Sequence, residues 1–388
     1  MSIDESSGST QEPQKKCRVL QVLGRMARGG AELRILEVMR QLMPEGIVSD
    51  VLVLSGQPGE LDSEVERCGG TVIPLMRKWG WQQRLRKILR AGRYSAVHSH
   101  VHYFSGWILK AAYQEGVPVR VVQFHNIDDG NGQGIFRQVY RWRAKKLLSR
   151  YATSLLGVSH SALSANWPKH QSDSRCQVIY NGVDFAPFFC ISSTKEKRKE
   201  LLGANHANLK MVIHVGNLTP AKNHSMILQI FIFLAQQRED VHLFLVGGGE
   251  MEREVDLRRQ ITSSPCASRI HVLGIRTDVP TLLLAADAFI FPSLYEGLPG
   301  ALVEACAAGL PCVTSDIGPC REVAECIPLV HCLSINQTSE IWASELSARL
   351  DSNQRLTPKE SCRLMTNAGF DVAGSSARYA ALWQGGRH

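Results

Sequence analysis

A chain of 388 residues, 44% hydrophobic and 21% charged, is too long for one ordinary core and predicts two folded domains. No apolar run approaches the roughly 20 residues of a membrane span, and residues 1–16 are polar, which excludes a signal-peptide pattern and predicts a disordered start. The net charge of +8 lies in the first half: residues 1–185 carry 25 Lys+Arg against 16 Asp+Glu, and the remainder 19 against 20.

Short apolar strands are predicted at 19–23, 51–54, 72–74, 96–99, 119–124 and 155–158, with helical patterns such as 31–42 and 136–151 between them. Such alternation predicts a parallel sheet with covering helices. Arg28, Gly29 and Gly30 follow the first strand. Paired glycines there either let backbone approach a phosphate or simply cap a helix. The stretches 77–93 and 137–150 mix Lys and Arg with Trp, Leu and Ile at helical spacing, which suits an anionic lipid surface or an ordinary solvated face. His98 and His100 close one strand and His125 another, and strand carboxyl ends line the crevice of such folds.

The pattern breaks at 178–184, and a polar stretch follows at 195–200. A second α/β series then gives strands at 211–215, 242–246, 270–273, 288–291, 311–314 and 328–330, and a last helix at 371–383. Behind its strands stand His214-Val215-Gly216-Asn217-Leu218-Thr219-Pro220-Ala221-Lys222, the glycine turn Gly247-Gly248-Gly249, and Gly274-Ile275-Arg276. Eleven cysteines occur without a C-x-x-C pair, and Cys306, Cys312, Cys320, Cys326 and Cys332 lack zinc-site spacing, so reduced thiols in a cytosolic enzyme are expected.

The most informative stretch is 291–322, FPSLYEGLPGALVEACAAGLPCVTSDIGPCRE. A buried strand, a turn through Gly297, Leu298, Pro299 and Gly300, and a helix from about Ala301 place Glu296 in the loop and Glu304 a turn inside the helix. The amides near Gly300, Ala301 and Leu302 offer free N–H groups and a positive dipole end, a seat for phosphate. Paired carboxylates also occur in glycosidases, but there they flank the bond that is cleaved. No Asp-x-Asp, Walker lysine motif, nucleophile elbow or H-E-x-x-H is present.

The run from Phe291 to Glu322 resembles the E-x7-E signature of retaining, family-four (group 1) nucleotide-sugar glycosyltransferases, and the resemblance extends from about Arg18 to Trp383. It implies a GT-B fold, two Rossmann-like α/β domains facing across a cleft: an acceptor-side domain over 17–190, a nucleotide-sugar domain over 191–370, and a closing segment, 371–388, packed back on the first. It implies a metal-independent hexosyl- or N-acetylhexosaminyltransferase with no cofactor, Glu296 on the transferred sugar, Glu304 on the ribose, and His125 near the reacting sugar. Lys222, Gly29 and Gly30 would face the donor diphosphate, with Gly216, Gly247 and Arg276 near the nucleotide. Asn217 stands where the family has an arginine, leaving Arg25, Arg28 or Arg276 to supply charge. The expected partners are a nucleotide-sugar donor, a glycan or polyprenyl-linked acceptor and an anionic membrane surface, with no nucleic acid, for a monomer on the cytoplasmic side. A non-catalytic sugar-nucleotide scaffold and an epimerase of similar fold are the alternatives.

Overall fold

The computed structural model describes residues 17–127, 134–189, 194–203, 207–352 and 354–385; the predicted disordered start at 1–16 lies outside them. Two all-parallel sheets form the framework. The first has seven strands in the order β3-β2-β1-β4-β5-β6-β7. These are β1 (Arg18–Leu23), β2 (Val48–Val53), β3 (Val72–Pro74), β4 (Ala96–Ser99), β5 (Val119–Phe124), β6 (Ser154–Gly157) and β7 (Cys176–Val178). The second has six, in the order β10-β9-β8-β11-β12-β13. They are β8 (Lys210–Val215), β9 (Val241–Val246), β10 (Ile270–Gly274), β11 (Ala288–Phe291), β12 (Cys312–Ser315) and β13 (Val330–Leu333).

Central strands such as β11 are buried along their whole length because helices cover both faces of each sheet. In both sheets the winding reverses beside the first strand, between β1 and β4 and between β8 and β11. Loops leaving the carboxyl ends of those strand pairs diverge and open a crevice. His100, Lys222 and Glu296 all stand on such loops.

Several predicted boundaries move for identifiable reasons. β12 begins at Cys312 rather than Pro311, and β13 runs through Val330–Leu333 rather than 328–330. Pro311 and Pro328 have no N–H to give a ladder, and the Cys312 amide instead donates to the Leu329 carbonyl at 2.9 Å. β7 was not anticipated; three half-buried residues on a sheet edge carry too little pattern. The polar 195–200 stretch lies in the helix Thr194–Leu202, held by Lys197 to Asp278 at 3.2 Å and by Arg198 to the Ala285 carbonyl at 2.6 Å.

The chain passes between the two sheets twice, at 182–184 and 369–371, and the passes lie side by side. Val183 donates to the Phe370 carbonyl at 2.8 Å and Val372 to the Val183 carbonyl at 3.1 Å. A Cβ on Gly182 would overlap the Asp371 carbonyl, so the close approach requires glycine. The last helix, Val372–Trp383, buries Val372, Tyr379 and Trp383 with Val19, Val38 and Val121 of the first half.

Candidate functional site

The loops behind β8, β9 and β10 are stitched together by backbone bonds. Gly216 donates to Val246 at 2.9 Å, Leu218 to Gly248 at 2.8 Å and Gly247 to Gly274 at 2.9 Å. Gly247 has φ 137°, and a Cβ there would overlap the Gly216 carbonyl. A Cβ on Gly216 would stand 3.2 Å from the Lys222 side chain, so both glycines let this cradle close around the lysine. Beneath it, His214 is fully buried, bonded through Nδ1 to the Ile290 carbonyl at 2.9 Å. Burial, and after it His224, holds the His214 imidazole neutral by lowering its pKa well below the ordinary value.

Lys222 meets the first of the two glutamates. It closes the 3-10 turn Pro220–Lys222, and its Nζ lies 2.5 Å from Glu296 Oε1 and 4.7 Å from the centre of the Phe291 ring. Only 19% of the lysine side chain and 11% of the glutamate side chain are exposed. The Leu294 amide, donating to Ala221 at 2.8 Å, binds their two loops. Asn217 is exposed and leaves Lys222 as the cation beside Glu296.

Glu304 sits in the Gly300–Ala307 helix, as expected, but its partner was not foreseen. Its Oε1 accepts from Arg34 Nη2 at 2.5 Å, while Arg34 Nη1 donates to Glu37 at 2.7 Å. Arg34 belongs to the Gly30–Leu42 helix of the first half, so this bridge spans the cleft beside a cavity of about 370 Å³. Nothing in the sequence around Arg34 separates it from the many other surface arginines. Burial, with Glu304 contributing against Arg34, pushes the Glu37 carboxyl up to about 7.

Of the amides at the head of the Gly300–Ala307 helix, Gly300 donates to the Leu298 carbonyl at 2.9 Å and Leu302 to the Pro299 carbonyl at 3.0 Å. Among the described residues only the Ala301 amide of these three has no backbone acceptor. The phosphate seat expected there would therefore have one open amide of these three rather than three.

Gly297 is the point of contact between the halves. It is buried against the His125 backbone, a Cβ there would overlap the His125 carbonyl, and its own carbonyl accepts from Ser159 Oγ at 2.6 Å. His125 Nε2 lies 2.8 Å from His100 Nδ1, and His100 Nε2 lies 2.8 Å from Gln21 Oε1. Gln21 directs its amide nitrogen at Ser49 Oγ, 3.4 Å away, so its oxygen faces His100. That orientation makes His100 the donor to Gln21 and His125 the donor to His100, leaving His125 Nδ1 as an acceptor. Burial, with His102 adding to it, lowers His125 to about 4, and burial lowers His98 to about 3. His98 packs against Tyr379 and Trp383 of the last helix and is a core residue rather than a cleft residue.

The remaining expected residues separate. A Cβ on Gly29 would run into the Glu32 carboxylate, whereas Gly30 opens onto free space. Arg276 is committed to Asp278 through two bonds of 2.8 and 2.7 Å, so it supplies no uncompensated charge for Asn217. Arg28 lies 3.9 Å from Glu60. Arg25 remains, its Nε donating to the Pro58 carbonyl at 2.8 Å.

Comparison with known proteins bears on the family and the fold. Residues 28–186 match the family described as Glycosyltransferase Family 4, and residues 210–348 match Glycosyl transferases group 1. The chain is 25% identical over 347 residues to the capsular polysaccharide biosynthesis glycosyltransferase CapH of Staphylococcus aureus, covering 89% of this chain and 94% of that protein. It is 29% identical over 238 residues to the Escherichia coli UDP-Gal:alpha-D-GlcNAc-diphosphoundecaprenol alpha-1,3-galactosyltransferase, 60% of each chain. The crystal structure of Anabaena HepE in complex with UDP-glucose superposes with a TM-score of 0.77 at 21% identity, covering 94% of this chain and 98% of HepE. With one match on the half that holds His125 and Arg34 and the other on the half that holds Lys222, Glu296 and Glu304, the chain belongs to the group 1, family-four glycosyltransferases and has their two-domain GT-B fold.

Proposed function

We propose that the protein transfers a hexosyl or N-acetylhexosaminyl group from a UDP-sugar, with retention of configuration and without a metal, to a lipid-linked glycan during cell-surface polysaccharide assembly. The observation that carries this reading is the Lys222–Glu296 pair at the head of the Gly300–Ala307 helix, beside the His125–Gly297 contact. Lys222 and the Ala301 amide stabilise negative charge growing on the departing diphosphate. Glu296 accepts hydroxyl hydrogen bonds from the transferred sugar, His125 Nδ1 accepts another, and Glu304 takes the ribose diol. A diphosphate oxygen accepts the proton of the acceptor hydroxyl as the new glycosidic bond forms on the face the diphosphate leaves. A UDP donor is supported by the HepE complex with UDP-glucose, a lipid-linked acceptor by the Escherichia coli galactosyltransferase, and polysaccharide assembly by CapH.

The protein would work at the cytoplasmic membrane surface. No helix among the described residues is long and apolar enough to cross a membrane. The Ile135–Tyr151 helix nevertheless exposes Phe136 (94%) and Trp142 (56%) beside Arg143 and Lys146. A thermal-shift panel of UDP-, GDP- and ADP-sugars, followed by transfer assays with excess EDTA, tests the assignment. UDP-sugars alone should stabilise the protein and turnover should survive EDTA. Loss of turnover restored by manganese would overturn metal independence, and donor binding with neither transfer nor hydrolysis would leave a scaffold.

A further inference from the structure

The Arg34–Glu304 bridge joins the two halves through the acid assigned to the ribose. Arg34 is on the Gly30–Leu42 helix and Glu304 on the Gly300–Ala307 helix. Their side chains are only 14% and 18% exposed, so the pair is better shielded than a solvated surface contact. Arg34 Nη1 also donates to Glu37 at 2.7 Å. One guanidinium is thus shared between two acids, Glu304 across the cleft and Glu37 a turn along its own helix.

A carboxylate grips a vicinal diol with one oxygen on each hydroxyl, and Arg34 Nη2 already holds Glu304 Oε1 at 2.5 Å. Guanidinium and diol therefore contend for the same acid. The adjoining cavity of about 370 Å³ gives Arg34 space to withdraw from Glu304 without leaving Glu37. The charged groups facing Glu37 are Arg34 and Arg40 of its own helix, Glu304 of the second half and Asp184 of the first pass between the sheets. The remaining residues that line the cavity are uncharged. Burial, ahead of those charges, raises the Glu37 carboxyl to about 7, and a guanidinium that no longer serves Glu304 would draw it down.

Resting on the reading of Glu304 as the ribose acid, we propose that Arg34 is a built-in competitor of the donor: it holds Glu304 until the ribose diol displaces it, and then passes wholly to Glu37. The bridge thereby sets nucleotide affinity. Each donor breaks one tie between the halves before making its own contacts. After transfer, the nucleoside diphosphate leaves more readily because Arg34 returns to Glu304.

The test is calorimetry on the full chain with UDP and with dideoxy-UDP, which lacks both hydroxyls of the diol. Arg34→Gln removes the competitor, so UDP should bind about fivefold tighter, whereas dideoxy-UDP, with nothing to offer Glu304, should change by less than about twofold. Arg34→Lys keeps the charge without the fork and should tighten UDP by less; it carries the same test if Arg34→Gln does not fold. Arg259→Gln, the same change of charge on a remote helix, should bind both ligands as the parent does. In the parent, UDP affinity should rise with pH up to about 7 and then level off, because Glu37 sheds its proton to receive Arg34. Glu37→Gln should remove that part of the slope and keep the part that belongs to the UDP phosphate itself. UDP binding no tighter in the folded Arg34 variants, an equal gain for both ligands, or a pH profile unchanged by Glu37→Gln overturns the proposal and leaves the ribose reading standing. If UDP does not bind, or binds no better than dideoxy-UDP to parent and Arg34→Gln alike, the ribose reading falls and the proposal with it.

Discussion

The contrast between the two acids is in what each touches. Glu296 faces Lys222 within its own half, whereas Glu304 is tied to Arg34 of the other half. Glu296→Gln keeps the shape but removes the charge that strengthens hydroxyl contacts in the transition state. Turnover should fall about 100-fold while UDP affinity stays within about threefold. Steady-state rates and calorimetry on the same preparation check this, and parental turnover would sink it. Glu304→Ala should instead weaken UDP binding about tenfold, the cost of losing a charge-assisted bond to the ribose. It also leaves Arg34 paired only with Glu37 of its own helix, so the bridge across the cleft is lost.

At the level of elements, the site comes from loops that two independent strand crossings aim at one another. The Gly297–His125 approach leaves no space for a methyl group. Gly297→Ala must therefore push the 291–300 loop off β5, and we expect kcat/KM to fall more than tenfold with UDP affinity less affected; unchanged kinetics would show that the contact is not kept during turnover. Much of this scale was legible in the chain. The β–turn–helix containing Glu296 and Glu304 could be read because strand hydrophobicity, glycine and proline follow one another in order, and each constrains the next. Arg34 and the Gln21–His100–His125 relay could not, since their partners are 270 and 79 residues apart respectively at the widest step and sequence carries no mark of such pairing. The same blindness covers Glu322 at the end of the motif. Its carboxylate accepts from the His160 and Ser161 amides, each at 2.9 Å, and so seats the His160–Asn166 helix of the first half on the second.

For the whole molecule, several imidazoles are buried uncharged. His98 at about 3 and His125 at about 4 lie below the ordinary value because burial penalises the cation. The unfolded chain then binds more protons between pH 6.5 and 4, so their stabilising contribution is complete above about 6.5 and is lost as pH falls toward 4. Glu37, raised to about 7, works in the opposite direction: its contribution is complete below about 4.5 and is lost as pH rises through 7. With His98, His125 and His224 lowered against one raised carboxyl, the melting temperature should drop by about 3 °C from pH 7.5 to pH 5. A flat profile in calorimetry would contradict buried neutral histidines. The basic, aromatic flank of the first half makes a separate prediction: vesicles containing anionic lipid should sediment the protein at low salt and release it at high salt, since each Lys or Arg at such a surface contributes about 1 kcal/mol. Equal partitioning onto neutral vesicles would remove the membrane reading.

The paired passes at 182–184 and 369–371 carry a mechanical consequence. Two segments of chain running side by side, bonded through Val183, have the form of a single-axis joint. Such a joint would yield to bending and resist torsion, so any opening of the cleft should follow one arc that parts Gly297 from His125 and Glu304 from Arg34 together. It also means that one cut does not sever the molecule. A nick in the first pass leaves the second as tether, and the two fragments would still close on the same line.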